Sequence, residues 1–229
     1  MNIKPWQESR EDIDFFSDDI QLWSASLDVE DSSRFFHLLS EDEKKRSAHL
    51  KSSTIAHQQI ISRGILRLLL GKYIGVNPKE LVFNNNPFGK PFLCNPADSA
   101  ICFNLAHSGS LLLFAIGKGK HVGIDVEIID EKIDFKKITS LVFSSDEQLS
   151  LSLSMDPICD FYALWTAKEA ILKATGRGFS YPSNKFSVFI LNGITFPSII
   201  PAELTGGCSC SLFSFSPVKG YSAAVAVLQ

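Results

Sequence analysis

The stretch GIDVE, residues 123–127, lies inside HVGIDVEII (121–129), a segment that otherwise reads as a buried strand. Side chains two apart on a strand point to the same side. Asp125 and Glu127 therefore share one face of an apolar element. Two like charges placed so closely repel unless something positive stands between or beside them. What supplies that positive charge is the question the strand raises.

A third carboxylate lies in FYALWTAKEAILKATGRG (161–178), which reads as a helix ending at Gly176 and Gly178. Glu169 and Lys173 are four apart and share a helix face; Trp165, four before Glu169, packs along the same face, and Lys168 lies at its flank. Taken alone, Glu169 with Lys173 is what a surface ion pair looks like, worth a few tenths of a kcal/mol. Asp125 and Glu127 alone fit an edge strand with solvated acids. If the helix crosses the strand, Asp125, Glu127 and Glu169 converge. Three carboxylates without a His or Cys cluster suit a hard, oxygen-ligated cation, Mg²⁺ rather than zinc, and Mn²⁺ suits the same ligands.

Working outward, IQLWSASLDV (20–29) alternates as a strand, whereas residues 1–19 are polar and carry little pattern. Ser40 followed by Glu43 is a capping-box signature opening SEDEKKRSAHLK. IAHQQIISRGILRLLLGKYIG (55–75) reads as a long core helix, with Arg63 and Arg67 one turn apart and serving packing and local ion pairs. NNNPFGKPFL (84–93) reads as a loop, and AICFNLAHSGSLLLFAIGKG (100–119) as a hairpin turning at Ser108–Ser110. GKGKH is a charged break before the GIDVE strand. Beyond it come helices over about 134–155 and 158–176, then strands near 185–191, 208–215 and 221–228. No strong internal sequence repeat or low-complexity tract is evident.

This order gives an α+β plan: two similar halves, 1–119 and 120–229, each with helices on a small, mostly antiparallel sheet. The 229 residues are 45% hydrophobic, enough for a sizeable core. A net charge of −3 offers no basic field for nucleic acid. No run of 18 apolar residues predicts a membrane span, and no basic-then-apolar leader opens the chain. The five scattered cysteines lack metal-ligand spacing, and Cys208 and Cys210 read as small residues alternating in a late strand. Free thiols and a cytoplasmic location are expected.

GKPFL (89–93), FNLAHS (103–108), GIDVE (123–127), FSSDEQ (143–148) and WTAKEAILKATGRG (165–178), in that order, resemble the 4'-phosphopantetheinyl transferases of the pseudo-dimeric type. The likeness runs from about Leu39 to the C-terminal strands. It implies that coenzyme A donates its phosphopantetheine arm to a serine of an apo carrier protein of fatty acid, polyketide or nonribosomal peptide synthesis, releasing 3',5'-ADP. It implies Mg²⁺ on Asp125, Glu127 and Glu169, with Glu169 as general base and Lys173 on the α-phosphate, assisted by Lys168. Coenzyme A would meet His107 at its 3'-phosphate, Lys90 in GKP at its nucleotide, and Arg46 at a phosphate. Two positions depart from the pattern. Ala106 stands where many members carry Ser, and Glu43 where relatives carry a basic residue. Ala106 implies a weaker hold on coenzyme A, and Glu43 poorer discrimination between coenzyme A and its dephospho form; together they are the support for a silent coenzyme A- or carrier-binding module. A Mg²⁺ enzyme hydrolysing a nucleotide pyrophosphate is a further alternative.

The acceptor would dock near EKIDFKKI (131–138), through Lys132, Lys136 and Lys137, with Phe135, Leu141 and Phe143 as apolar anchors or, more simply, as core residues. With both halves in one chain, a monomer suffices.

Overall fold

The computed structural model describes residues 3–7, 20–28, 31–96, 99–191, 194–198 and 200–229. Most of the polar N-terminal stretch, and the end of the strand expected over 20–29, lie outside these residues.

Strands β1 (Ile3–Pro5) and β2 (Ile20–Ser26) precede helices α1 (Ser33–Phe36), α2 (Glu41–Ala48) and α3 (Ser53–Ile74). Two hairpins follow, β3 (Val82–Asn85) with β4 (Pro91–Asn95) and β5 (Ile101–Ser108) with β6 (Leu111–Lys118). The chain continues through β7 (His121–Ile128), α4 (Lys136–Val142), α5 (Ser145–Ser152) and α6 (Pro157–Thr175). It closes with β8 (Val188–Leu191), β9 (Ile194–Pro197), α7 (Ala202–Thr205), β10 (Cys210–Phe215) and β11 (Tyr221–Leu228). The α+β architecture matches the expectation. One sheet has the order β1-β2-β6-β5, another β10-β11-β7, and β3-β4 and β8-β9 stand as separate hairpins. All pairings are antiparallel except β1 with β2.

Three apolar clusters stack between these layers. Ile61, Ile65 and Leu69 of α3 pack on Trp23, Phe103 and Phe114 of the first sheet. Leu22, Leu113 and Ala115 meet Val122, Ile124, Val126 and Val225 between the two sheets. Ala167, Ala170 and Ala174 of α6 pack on Ala224 and Ala226 of the second. Small residues on both sides of that last contact let the helix lie close to its sheet.

The segment expected as one helix over about 134–155 is two. Phe143 is extended (φ −106°, ψ 144°), and Ser144 caps α5, accepting from Glu147 N–H. The local hydroxyl competes successfully with helix continuation. The 84–93 stretch is a hairpin whose turn occupies residues between β3 and β4, not a free loop.

The halves share a wiring pattern that the sequence does not display. Ser40 and Glu43 form a capping box on α2, and Glu43 Oε2 also accepts from Arg67 Nε (2.9 Å) and Nη2 (2.8 Å) of α3. Ser144 and Glu147 form the same box on α5, and Glu147 accepts from Lys168 Nζ (2.7 Å) of α6. Arg67 donates onward to the Leu81 carbonyl before β3, and Lys168 to that of Phe186 before β8. In each half one glutamate locks a short helix, a long helix and the approach to a hairpin.

Candidate active site

Helix α6 opens at Asp156, whose carboxylate accepts from Cys159 N–H (3.2 Å), with Pro157 in its first turn. It closes at Gly176 in the left-handed conformation (φ 74°), as the sequence predicts. Its buried positions nearly encircle it, leaving Trp165, Glu169 and Lys173 as a half-buried stripe.

That stripe faces β7. Val122, Ile124 and Val126 turn inward between the sheets, so Gly123, Asp125 and Glu127 turn toward α6. A Cβ at Gly123 would stand 2.1 Å from the Ala170 carbonyl oxygen and 2.3 Å from Ala174 N. Glycine there is what lets the helix backbone touch the strand. The glycine of GIDVE thus sets the distance at which its acids meet Glu169 and Lys173.

The positive partner of Asp125 is Lys173, whose Nζ donates to Oδ1 at 2.5 Å. Asp125 is 4% exposed, and its Oδ2 is buried without a hydrogen-bond partner. Burial pushes its carboxyl up to about 6 despite Lys173. Burial, then the charges of Asp125 and Glu127, raise Glu169 to about 7. Glu127 accepts from Ser108 Oγ (2.8 Å). His107 is nearby on β5: partial desolvation and the Lys173 charge lower its pKa, and Glu127 opposes this. The structure therefore brings together Asp125, Glu127, Glu169, Lys173 and His107.

These carboxylates fit a hard cation in their chemistry: three acids, one of them with an orphaned buried oxygen. They are not closed round one. Among the described residues no group of His, Cys, Asp or Glu forms a ready cage. Lys173 holds Asp125 instead, so a metal bound here would have to take over that contact.

Lys168 is a correction. The expectation that it assists at phosphate fails because it is 2% exposed and on another face of α6. Its three donors go to Glu147 Oε1 and Oε2 (both 2.7 Å) and Phe186 O (2.6 Å). Lys90 donates to the carbonyls of Val122 (2.9 Å) and Ala174 (3.3 Å), joining β7 to the end of α6. Burial lowers its pKa to about 8. An ammonium has three donors, so capacity for one more bond remains.

Arg46 does not join the carboxylates. It lines a separate groove of about 380 Å³ with Arg63, Lys79, Asn84 and Asn85. Sequence reasoning missed Arg63 and Lys79 there; Arg63, four before Arg67 on one helix face, was the available signal. Burial lowers the Arg63 pKa, Glu43 raises it, and Arg46 and Arg67 lower it. Glu43 is committed to its cap and to Arg67. Ala106 is buried between the sheets, on the face of β5 opposite His107.

Lys132, Lys136, Lys137 and Leu141 are exposed, with Lys137 paired to Asp134 (2.8 Å). Phe143 is 1% exposed and Phe135 stacks on Phe161 (5.2 Å), so both serve the core rather than docking.

Residues 121–226 match the model of the 4'-phosphopantetheinyl transferase superfamily, and residues 21–118 that of the 4'-phosphopantetheinyl transferase N-terminal region. The chain is 32% identical to the 4'-phosphopantetheinyl transferase HetI of Nostoc sp., covering 97% of this chain and 93% of that protein. It is 30% identical to the transferase gsp of Aneurinibacillus migulanus (89% and 90%) and 28% identical to Sfp of Bacillus subtilis (71% and 71%). The chain belongs to the 4'-phosphopantetheinyl transferase superfamily.

Proposed function

We propose that this chain transfers the 4'-phosphopantetheine arm of coenzyme A to a serine hydroxyl of an apo carrier protein, releasing 3',5'-ADP. The observation that carries the reading is the packing of α6 on Gly123, which sets Glu169 and Lys173 beside the half-paired, buried Asp125. Asp125, Glu127 and Glu169 would hold Mg²⁺. When bound, the ion supplies charge neutralisation for the pyrophosphate. With its acid otherwise satisfied, Lys173 turns to the α-phosphate and stabilises charge on the departing nucleotide. Glu169, half-buried on the stripe of α6 beside Lys173, is suited to accept the serine proton, directly or through a water.

The groove with Arg46, Arg63 and Lys79 would take the 3'-phosphate end, where crowded cations gain from an anion. His107, on β5 within electrostatic reach of Lys173 and Glu127, would add its imidazole to the 3'-phosphate. Lys90, with its one remaining donor, would reach the nucleotide. We assign residues 1–119 to nucleotide binding and 120–229 to the metal and catalytic helix. Exposed Lys132, Lys136 and Lys137 would receive an acidic carrier. One chain holds every proposed group, so a monomer is sufficient. The free cysteines Cys94, Cys102, Cys159, Cys208 and Cys210 favour a reducing cytoplasm, and no helix among the described residues is long and apolar enough to cross a membrane.

The test is the intact mass of an apo carrier protein after incubation with the chain, coenzyme A and Mg²⁺. Gain of one phosphopantetheine arm is expected, lost with EDTA and with Glu169→Gln. No gain with fatty acid, polyketide and peptide carriers would overturn the reading.

A further inference from the structure

Strands β5 and β7 run side by side in the same direction, yet they belong to different sheets. Side chains bridge them. Asn104 Oδ1 accepts from Ile124 N–H (2.8 Å), and Ser108 Oγ accepts from Ile128 N–H (3.0 Å). Each bridge spans twenty positions, and the two are four residues apart on both strands, so the strands lie in register. The stretch between the bridges on β7 contains Asp125 and Glu127.

Ser108 does more than bridge. A hydroxyl has one hydrogen and two lone pairs. The Ile128 N–H approaches a lone pair, and the hydrogen goes to Glu127 Oε2 at 2.8 Å. Main-chain geometry thus fixes the direction in which the hydroxyl donates. The turn that follows is fixed as well. Gly109 has φ +55°, and a Cβ there would stand 2.7 Å from Tyr221 Oη. Tyr221 is itself paired with Ile128 in the β11–β7 ladder.

We infer that Ser108 is a positioning residue for the metal site: it orients Glu127 for ligation while its own oxygen is held by the backbone of the ligand-bearing strand. The inference rests on the reading of Glu127 as a metal ligand. Without Ser108 the half-buried glutamate recovers side-chain freedom that metal binding then has to remove. Partners behind a ligand typically control metal affinity by about 10–100-fold.

The test is direct Mn²⁺ binding, followed by electron paramagnetic resonance of the free ion, on the wild-type chain and on Ser108→Ala and Ser108→Thr. Coenzyme A affinity without metal and thermal unfolding are measured on the same samples. Ser108→Ala should bind Mn²⁺ about tenfold or more weakly, with coenzyme A affinity unchanged, and Ser108→Thr should restore binding. Unchanged Mn²⁺ affinity in folded Ser108→Ala would overturn the role. So would parallel loss of both affinities, which signals a loosened seam. Should Ser108→Ala fail to fold, Ser108→Thr decides alone: wild-type Mn²⁺ affinity supports the role, and tenfold weakening with its hydroxyl intact overturns it. A wild-type chain that binds no Mn²⁺, with or without coenzyme A, would overturn the metal reading itself and this role with it.

Discussion

Asp125 is neutralised by a lysine that the proposed reaction needs elsewhere. Lys173→Ala should therefore lower kcat by about a hundredfold or more, the usual scale for a lost transition-state cation, without recovery at high Mg²⁺. Steady-state transfer assays check this. Lys168 was legible in the sequence only as a neighbour of Glu169. One residue along a helix is a rotation of about 100°, enough to take it from the site to the core. Lys168→Met should cost about 3–5 kcal/mol in urea unfolding, because it leaves Glu147 buried and unpaired. Its KM for coenzyme A should stay within about twofold of wild type. Arg63, by contrast, lines the basic groove. Arg63→Gln should raise KM for coenzyme A about tenfold, the value of one charged hydrogen bond. It should raise KM for the dephospho form much less. Glu43, which the sequence sets against coenzyme A binding, is occupied with Arg67, so its acidity is not a charge facing the ligand unopposed.

At the scale of elements, what was legible followed from strong local signals. The Ser40–Glu43 capping box, the Gly75 and Gly176 helix ends and the β5–β6 hairpin stand where the sequence puts them, whereas the equivalent Ser144–Glu147 box interrupts what reads as one helix. The β3–β4 and β8–β9 hairpins were hard to see because their strands are four or five residues long. Strands of that length carry too few alternations to distinguish them from loops. The crossing of α6 over β7 stood in the sequence only as a condition for the acids to converge, and the feature that permits it, Gly123, carries no local signal of its packing role. Gly123→Ala should force the helix outward by overpacking, costing at least about 1–3 kcal/mol. Transfer should fall by more than that loss of stability explains, because Glu169 and Lys173 ride on the displaced helix. Thermal unfolding and kcat measured on the same sample separate the two effects.

At the scale of the whole molecule, two sheets and two long helices leave their charged seam where β5, β7 and α6 meet. Asp125 and Glu169 hold protons more tightly folded than unfolded, titrating at about 6 and 7 against ordinary values of 3.8 and 4.5. Between about pH 4 and 7 the folded state thus binds more protons, and this contribution to stability is lost as pH rises through that window. The metal-free chain should lose about 2 kcal/mol between pH 5 and 8 from this source, allowing for screening of the half-buried Glu169. Excess Mg²⁺ should abolish the loss, as read by thermal melts across pH.

The Lys173–Asp125 contact has one more consequence, which concerns the order of events in a cell. Many small metal sites assemble only as the chain folds, because unpaired ligands cannot be buried. Asp125 carries its counter-charge with it, because the Lys173 ammonium reaches it from α6. The newly made chain can therefore complete this part of its core in whatever ionic medium it is synthesised, with its own lysine as the counter-charge.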